Sequence, residues 1–352
     1  MNEQVKYDWM VYVICATYNH ASYIKDAMNG FTMQETDFPF VCAIIDDAST
    51  DGEQEVIKSY LNEHFDLEDR KVVRREETDD YVLTFARHKT NLNCYFAVLF
   101  LKYNHYSLKK TKAQYLAQWQ NNAKYIAICE GDDYWIDPCK IQRQIQFLED
   151  NIDFNLCTHR FWVKDERKFD STGYEEFEYD KKAIMSSFRS YRGYVFDKRN
   201  YWENWTTQPL SCVYRNGDYL KEIPSKAFKY YRDTIKYYYI IKQGKGLLLE
   251  DRMGVYRMNN GGIFAGTNTS RNALVTYDSL STLYRLEKDS SVFRELNRVI
   301  WSIACLNNKE KKINGLRVIF DHYKTLTIRD RIYFSMFLLK NMTTILFARI
   351  KK

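Results

Sequence analysis

Met10–Asn19 reads MVYVICATYN, an unbroken apolar and β-branched run that turns polar at Thr17. A strand with one wet face alternates. A run without alternation is a strand buried on both faces, as in a sheet covered by helices on both sides. Two further stretches repeat the pattern: Phe40–Ile45 runs into DDASTDG (46–52), and Tyr125–Cys129 runs into EGDDYW (130–135). Between the first two strands Ile24, Ala27, Met28 and Phe31 recur at helical spacing, and Val56, Ile57, Tyr60 and Leu61 do so after the second. This alternation predicts an α/β fold with a mostly parallel, doubly wound sheet.

Further elements follow from the same periods. Thr111–Asn122 predicts a helix with Tyr115, Leu116 and Trp119 inward. In DPCKIQRQIQFLEDN (137–151), Asp137 is a cap, Pro138 suits the first turn, and Ile141, Ile145 and Leu148 line one face. Phe154–Val163 reads as a strand, Lys164–Asp180 as an exposed polar loop, and LSCVYRN (210–216) as a strand. A helix is expected near Ala227–Gln243, two short strands in GKGLLLEDRMGVYRMNNGG (244–262), and helices from about 269 onward. Residues 76–110 mix periods and yield no assignment.

With 352 residues, 45% hydrophobic content and only 4 Pro, the chain can bury a large core, which excludes disorder. Its net charge of +6 comes from 52 basic and 46 acidic residues that are interspersed, unlike the single basic stripe of a nucleic-acid binder. The eight cysteines form no C-x-x-C pair, and Cys15, Cys42 and Cys129 sit in apolar runs, so reduced thiols and a cytoplasmic location are expected. No secretory leader and no 18-residue apolar run is visible.

In an open parallel sheet, ligands bind beyond the carboxyl ends of the strands. Asp46, Asp47, Asp51, Glu130, Asp132 and Asp133 all follow strands directly. Such a cluster suits Mn²⁺ or Mg²⁺, hard cations that keep positions open for the oxygens of a diphosphate. No Walker A sequence, no G-x-G-x-x-G after the first strand, no H-E-x-x-H and no G-x-S-x-G occurs.

Three ordered motifs, VICATYNHASYI (13–24), IIDDASTDG (44–52) and YIAICEGDDYWIDPCKIQRQIQFLE (125–149), resemble those of the bacterial inverting glycosyltransferases of family 2, of GT-A fold. The resemblance spans about 8–265. It implies a GT-A catalytic domain over 1–265, with a nucleotide-binding half (8–125) and a metal and acceptor half (126–265), followed by a helical region over 266–352. It implies that Thr17, Asn19, Asp46 and Asp47 contact the nucleotide of a nucleotide-sugar, UDP-sugar being the expected donor class. Asp132 and Asp133 serve the metal and donor phosphates, with Glu130 beside them. Downstream, TTQPLSCVYRN (206–216) resembles the acceptor-side strand, bringing in Thr206 and Thr207. YYRDTIKYYYIIKQGKGLLLEDRMGVYRMNNGGI (230–263) resembles the base-bearing segment and makes Asp233 the general base. Arg257 and the following NNGG turn are candidates for the diphosphate. The chain departs from the pattern at Glu130, where many relatives have Asp, at Ala16, where Pro is frequent, and at NNGG, where many have His.

The expectation is a metal-dependent inverting glycosyltransferase acting on a surface-glycan or lipid-linked acceptor. Two rivals stand beside it: a non-catalytic nucleotide-sugar-binding protein of a glycan assembly, and a nucleotidyltransferase, which would want a glycine-rich basic loop where ATYNHASYI stands. Each motif also has a plainer reading. EGDD can be a solvated turn, and Asp233 can pair with Arg232, Lys229 or Lys236. The terminal RDRIYFSMFLLKNMTTILFARIKK (329–352) reads either as a helix on an anionic membrane surface, at the inner face of the plasma membrane, or as a core-facing helix with a basic tail.

Overall fold

The computed structural model describes residues 7–167, 175–176, 186–188, 190–203, 206–259, 269–305 and 315–350. They fall into two compact units, Met1–Glu222 with Tyr237–Asn259, and Ile223–Lys236 with Asn260–Lys352.

The first unit is built on one mixed sheet. Its strands are β1 (Trp9–Thr17), β2 (Phe40–Asp46), β3 (Phe65–Asp66), β4 (Arg74–Glu77), β5 (Tyr81–His88), β6 (Cys94–Leu101) and β7 (Ala123–Ile128). Then come β8 (Tyr134–Trp135), β9 (Phe154–Asp165), β10 (Glu175–Glu176), β11 (Ser186–Phe188), β12 (Tyr191–Phe196), β13 (Val213–Arg215) and β14 (Lys245–Met258). The order is β11-β12-β14-β9-β13-β7-β1-β2-β6-β5-β3, with β4 on β5, β8 on β14 and β10 on β9. The centre, β7-β1-β2-β6, is parallel. Helices α1 (Ile24–Thr32), α2 (Glu53–His64), α3 (Ala117–Asn121) and α4 (Lys140–Asp150) follow or precede these strands.

All seven residues of β2 are buried, so its lack of alternation has its physical cause in neighbours on both faces. Register sets the site: Thr17 pairs with Asp46, and Ile14 with Ile128, so the polar residues after β1, β2 and β7 emerge along one edge. On α4, Ile141, Ile145 and Leu148 are buried as their spacing predicts, while the helix begins at Lys140 and Asp137 Oδ1 accepts from the Cys139 N–H at 2.7 Å just ahead of it.

Several elements differ from expectation. Within the unassigned stretch 76–110, β5 and β6 form an antiparallel pair, and β6 continues the parallel core beside β2. The loop expected over 164–180 is shorter: β9 runs to Asp165, and Glu175 and Glu176 pair with Val163 and Trp162. Residues 245–258 are one strand, parallel to β9, whose irregularities between Leu249 and Gly254 keep it in the ladder past the polar Glu250–Arg252. Helix α5 is shorter than expected, Asp233–Lys242, and 111–122 holds a 3₁₀ turn before α3.

In the second unit the helices are α6 (Thr269–Glu287), α7 (Ser290–Cys305), α8 (Gly315–Thr325) and α9 (Ile328–Ile350). On α7, Val292, Leu296, Ile300 and Ile303 make a buried stripe. Tyr284 donates to Asp330 Oδ2 at 2.7 Å and joins α6 to the first turn of α9, and Arg331 donates to the carbonyls of Tyr323 and Lys324 at the end of α8.

Candidate functional site

The turn after β1 and the turn after β2 are laced together. Asn19 takes φ +58°, a left-handed conformation that asparagine tolerates better than most residues. Its N–H donates to Ser49 Oγ at 2.9 Å, and its side-chain oxygen accepts from the Thr50 N–H at 2.8 Å. Asp51 accepts from the Ala21 and Glu53 N–H groups at 2.9 and 3.1 Å. Glu53, first residue of α2 and fully buried, accepts from Thr17 Oγ1, from the His20 N–H at 2.9 Å and from Ser49 Oγ at 2.8 Å. Burial pushes its carboxyl above the ordinary range.

The two aspartates ending β2 differ. Asp47 is saturated by protein: the His105 and Tyr106 N–H groups donate at 2.7 and 3.1 Å, and Lys112 Nζ lies at 2.7 Å. Asp46 accepts from Gln54 Nε2 at 2.5 Å and the Ser49 N–H at 3.3 Å through one oxygen, while Oδ1 is buried without a partner. Burial raises the Asp46 carboxyl.

The acidic turn after β7 continues the pairing with β1, since the Cys129 and Gly131 N–H groups donate to Ile14 O and Ala16 O at 3.0 and 3.1 Å. Gly131 has to be glycine, because a Cβ there would stand 2.2 Å from Thr17 Oγ1. Glu130, Asp132 and Asp133 offer oxygens that all lie within 4.8 Å of one another. Asp133 is buried, with Oδ2 unpartnered, and its carboxyl is pushed well up by burial first and by Asp132 next. His20, to which the sequence assigns no role, has Nε2 3.8 Å from Asp132 Oδ2.

A model of the family described as glycosyl transferase family 2 matches residues 12–83, which hold the first two of these turns. Over this segment the chain is similar to glycosyltransferase family 2. Two curated relatives, uncharacterized proteins of Mycobacterium tuberculosis (strain H37Rv) and Mycobacterium bovis, are each 27% identical over 265 residues, 74% of this chain. The chain spans 62% of the length of these relatives. Among solved structures, Staphylococcus aureus TarS 1–349 matches with TM-score 0.56 and 16% identity, and its complex with UDP-GlcNAc with 0.55 and 16%. Both matches cover 97% of this chain and 87% of the other, and show the GT-A fold.

The acidic turn is braced by the end of β14. The Arg257 N–H donates to Asp133 Oδ1 at 2.9 Å, Nη1 to the Asp132 carbonyl at 2.7 Å, Nη2 to Asp26 at 2.7 Å and Nε to Glu166 at 3.1 Å. The guanidinium lies 4.8 Å from the Tyr23 ring centroid and 4.7 Å from that of Tyr134. Asn259 Nδ2 donates to Asp132 Oδ2 at 2.9 Å, and residues 260–262 of NNGG lie outside the described residues. Thr206 and Thr207 are both buried, Thr207 Oγ1 2.9 Å from Tyr201 OH. Asp233, in the second unit, opens α5 with its side chain 54% exposed and 3.3 Å from Lys236 Nζ.

Beneath the turn, Trp135 is packing: Nε1 donates to Leu210 O at 2.8 Å and its ring meets Phe31 edge-on. Lys140 Nζ, fully buried, stands 3.9 Å over that ring with no hydrogen-bond partner, and burial drives its pKa down to about 7. Glu53, Arg257 as a brace, Asn259 and Lys140 were not singled out in these roles by the sequence. An acid after Asp-Gly reads as ordinary first-turn helix chemistry, and only the meeting of two distant turns makes Glu53 special.

Proposed function

We propose that this chain is a metal-dependent, inverting glycosyltransferase that moves a sugar from a nucleotide-diphosphate donor, UDP-sugar by preference, to a hydroxyl of a surface-glycan or lipid-linked acceptor in the cytoplasm. The observation that carries this reading is the gathering of Glu130, Asp132 and Asp133 in the turn after β7, beside the laced turns that match the glycosyl transferase family 2 model.

The residues fit a divalent cation. A buried, unpartnered carboxylate oxygen on Asp133, with two more carboxylates crowded against it, is an arrangement a hard cation relieves. Asp132 and Asp133 would hold Mn²⁺ or Mg²⁺, with Glu130 reaching in from the exposed side. When bound, that ion supplies charge stabilisation to a departing diphosphate.

The remaining work falls to the chain. The unpartnered Asp46 Oδ1 and Thr17 and Asn19 beside it frame the nucleoside, while Asp47 braces the loop after β6. Arg257 and Asn259 orient the acidic turn, and the acceptor lies on the side of Thr206 and Thr207. Asp233 takes the proton from the acceptor hydroxyl, which attacks the anomeric carbon opposite the diphosphate, so configuration inverts. One base suffices, because a diphosphate leaves without a protein acid.

The test is a thermal-shift panel of nucleotide diphosphates and nucleotide-sugars with and without Mn²⁺, followed by nuclear magnetic resonance assignment of the product anomer. A Mn²⁺-dependent stabilisation by one nucleotide class and an inverted product are expected. Absence of any metal-dependent shift overturns the reading.

A further inference from the structure

Within the second unit, Ile328, Ile332, Met336 and Leu339 stand on α9 at 80, 59, 62 and 68% exposure. At ~100° per residue they fall within an arc of about 80°. Arg329 and Lys340, both exposed, lie on one flank of that arc, and exposed Tyr333 follows them. The opposite side is the packed one. Phe334 is buried, its ring stacked with Phe337 and edge-on to His322, and Phe337 meets Trp301. The aliphatic stripe is therefore not the core-facing side of the helix.

Charge selects what covers the stripe. Residues 328–352 carry six basic groups, Arg329, Arg331, Lys340, Arg349, Lys351 and Lys352, against one acid, Asp330. Asp330 is turned to protein, accepting from Tyr284 and from Thr327 Oγ1 at 2.7 and 2.8 Å. A second copy is a poor partner, since antiparallel pairing about the stripe would set Arg329 of one copy near Lys340 of the other. No described helix is long and apolar enough to cross a membrane. Aliphatics bordered by cations, with no competing acid on that face, suit the head-group boundary of an anionic bilayer.

We infer that α9 lies along an anionic phospholipid surface, with Ile328, Ile332, Met336 and Leu339 at the acyl boundary and Arg329 and Lys340 on lipid phosphates. This is independent of the reading of the sheet-edge site. It would hold the catalytic unit near a lipid-linked acceptor if that reading also stands.

The test is co-sedimentation of the full chain with vesicles of phosphatidylcholine alone or mixed with phosphatidylglycerol. Binding to the mixed vesicles only, weakened by salt, is expected. At about fivefold per cation, the double variant Arg329→Gln with Lys340→Gln should lose about 25-fold in partitioning. The triple variant Ile332→Ser, Met336→Ser and Leu339→Ser should lose binding while keeping its melting temperature, because all three side chains are exposed. No binding to mixed vesicles overturns the proposal, as does undiminished binding by the triple variant. A self-association in sedimentation velocity that the triple variant abolishes also overturns it, assigning the face to a second copy.

Discussion

Arg257 Nη1 donates to the backbone carbonyl of Asp132 at 2.7 Å, so an arginine 125 positions away in the chain fixes the turn that carries the acidic cluster. The same residue's N–H holds Asp133, and its remaining donors reach Asp26 and Glu166. Arg257→Met should weaken Mn²⁺ binding about 10- to 100-fold, the usual effect of losing a group that orients metal ligands. Arg257→Lys should rescue part of it, since an ammonium cannot reproduce the forked contacts. Isothermal titration with Mn²⁺ measures both, and equal affinity in Met and wild-type forms would show that Arg257 does not position the ligands.

Glu53 closes three donors at once. Glu53→Ala takes the acceptor from the His20 N–H and Ser49 Oγ and leaves Thr17 Oγ1 only His20 Nδ1 at 3.2 Å, and should lower stability by about 3 kcal/mol. Glu53→Gln, which keeps the shape and needs no buried charge, should cost less. Urea unfolding of the two variants settles the order, and a neutral Glu53→Ala refutes the clasp.

Lys140 makes a pH prediction with a defined sign. Its folded pKa of about 7 lies below the ordinary 10.5, so between these values the unfolded chain holds a proton that the folded chain has released. Stability attributable to Lys140 therefore rises with pH across that window, and the burial penalty is carried in full below about 7. Lys140→Met should stabilise the protein by about 3 kcal/mol at pH 6, with the advantage shrinking toward pH 9. Melting temperatures at four or five pH values check this; a pH-independent gap would mean the ammonium is not desolvated.

Asp233→Asn and Asp132→Asn separate the two proposed roles. If Asp233 takes the acceptor proton, Asn there should reduce kcat about 100-fold or more while donor affinity stays within twofold. Asp132→Asn should instead weaken Mn²⁺-dependent donor binding. Unchanged transfer by Asp233→Asn removes it from the reaction.

The sequence by itself determined three of the four strands of the parallel core. Strands β1, β2 and β7 are continuous apolar runs because they are buried on both faces, and their ends are visible because polar residues begin where the sheet meets solvent. The same reading located Asp46, Asp47, Asp132 and Asp133, and the apolar face of α4. The β5–β6 pair was not legible, since Cys94–Leu101 is apolar throughout, as a buried helix segment would be. The β14 strand read as two because polar Glu250–Arg252 interrupt it, and only pairing along β9 carries it through.

Which partners each acid finds was decided by tertiary structure alone. Asp46 and Asp47 are adjacent and identical in sequence terms, yet one is saturated by His105, Tyr106 and Lys112 while the other keeps a bare buried oxygen. Glu53 and Arg257 matter through partners 36 and 125 residues away, at Thr17 and Asp132. Local periodicity reports which way a side chain faces. The partner it finds depends on which strand ends the fold sets side by side, and that is a property of the whole sheet.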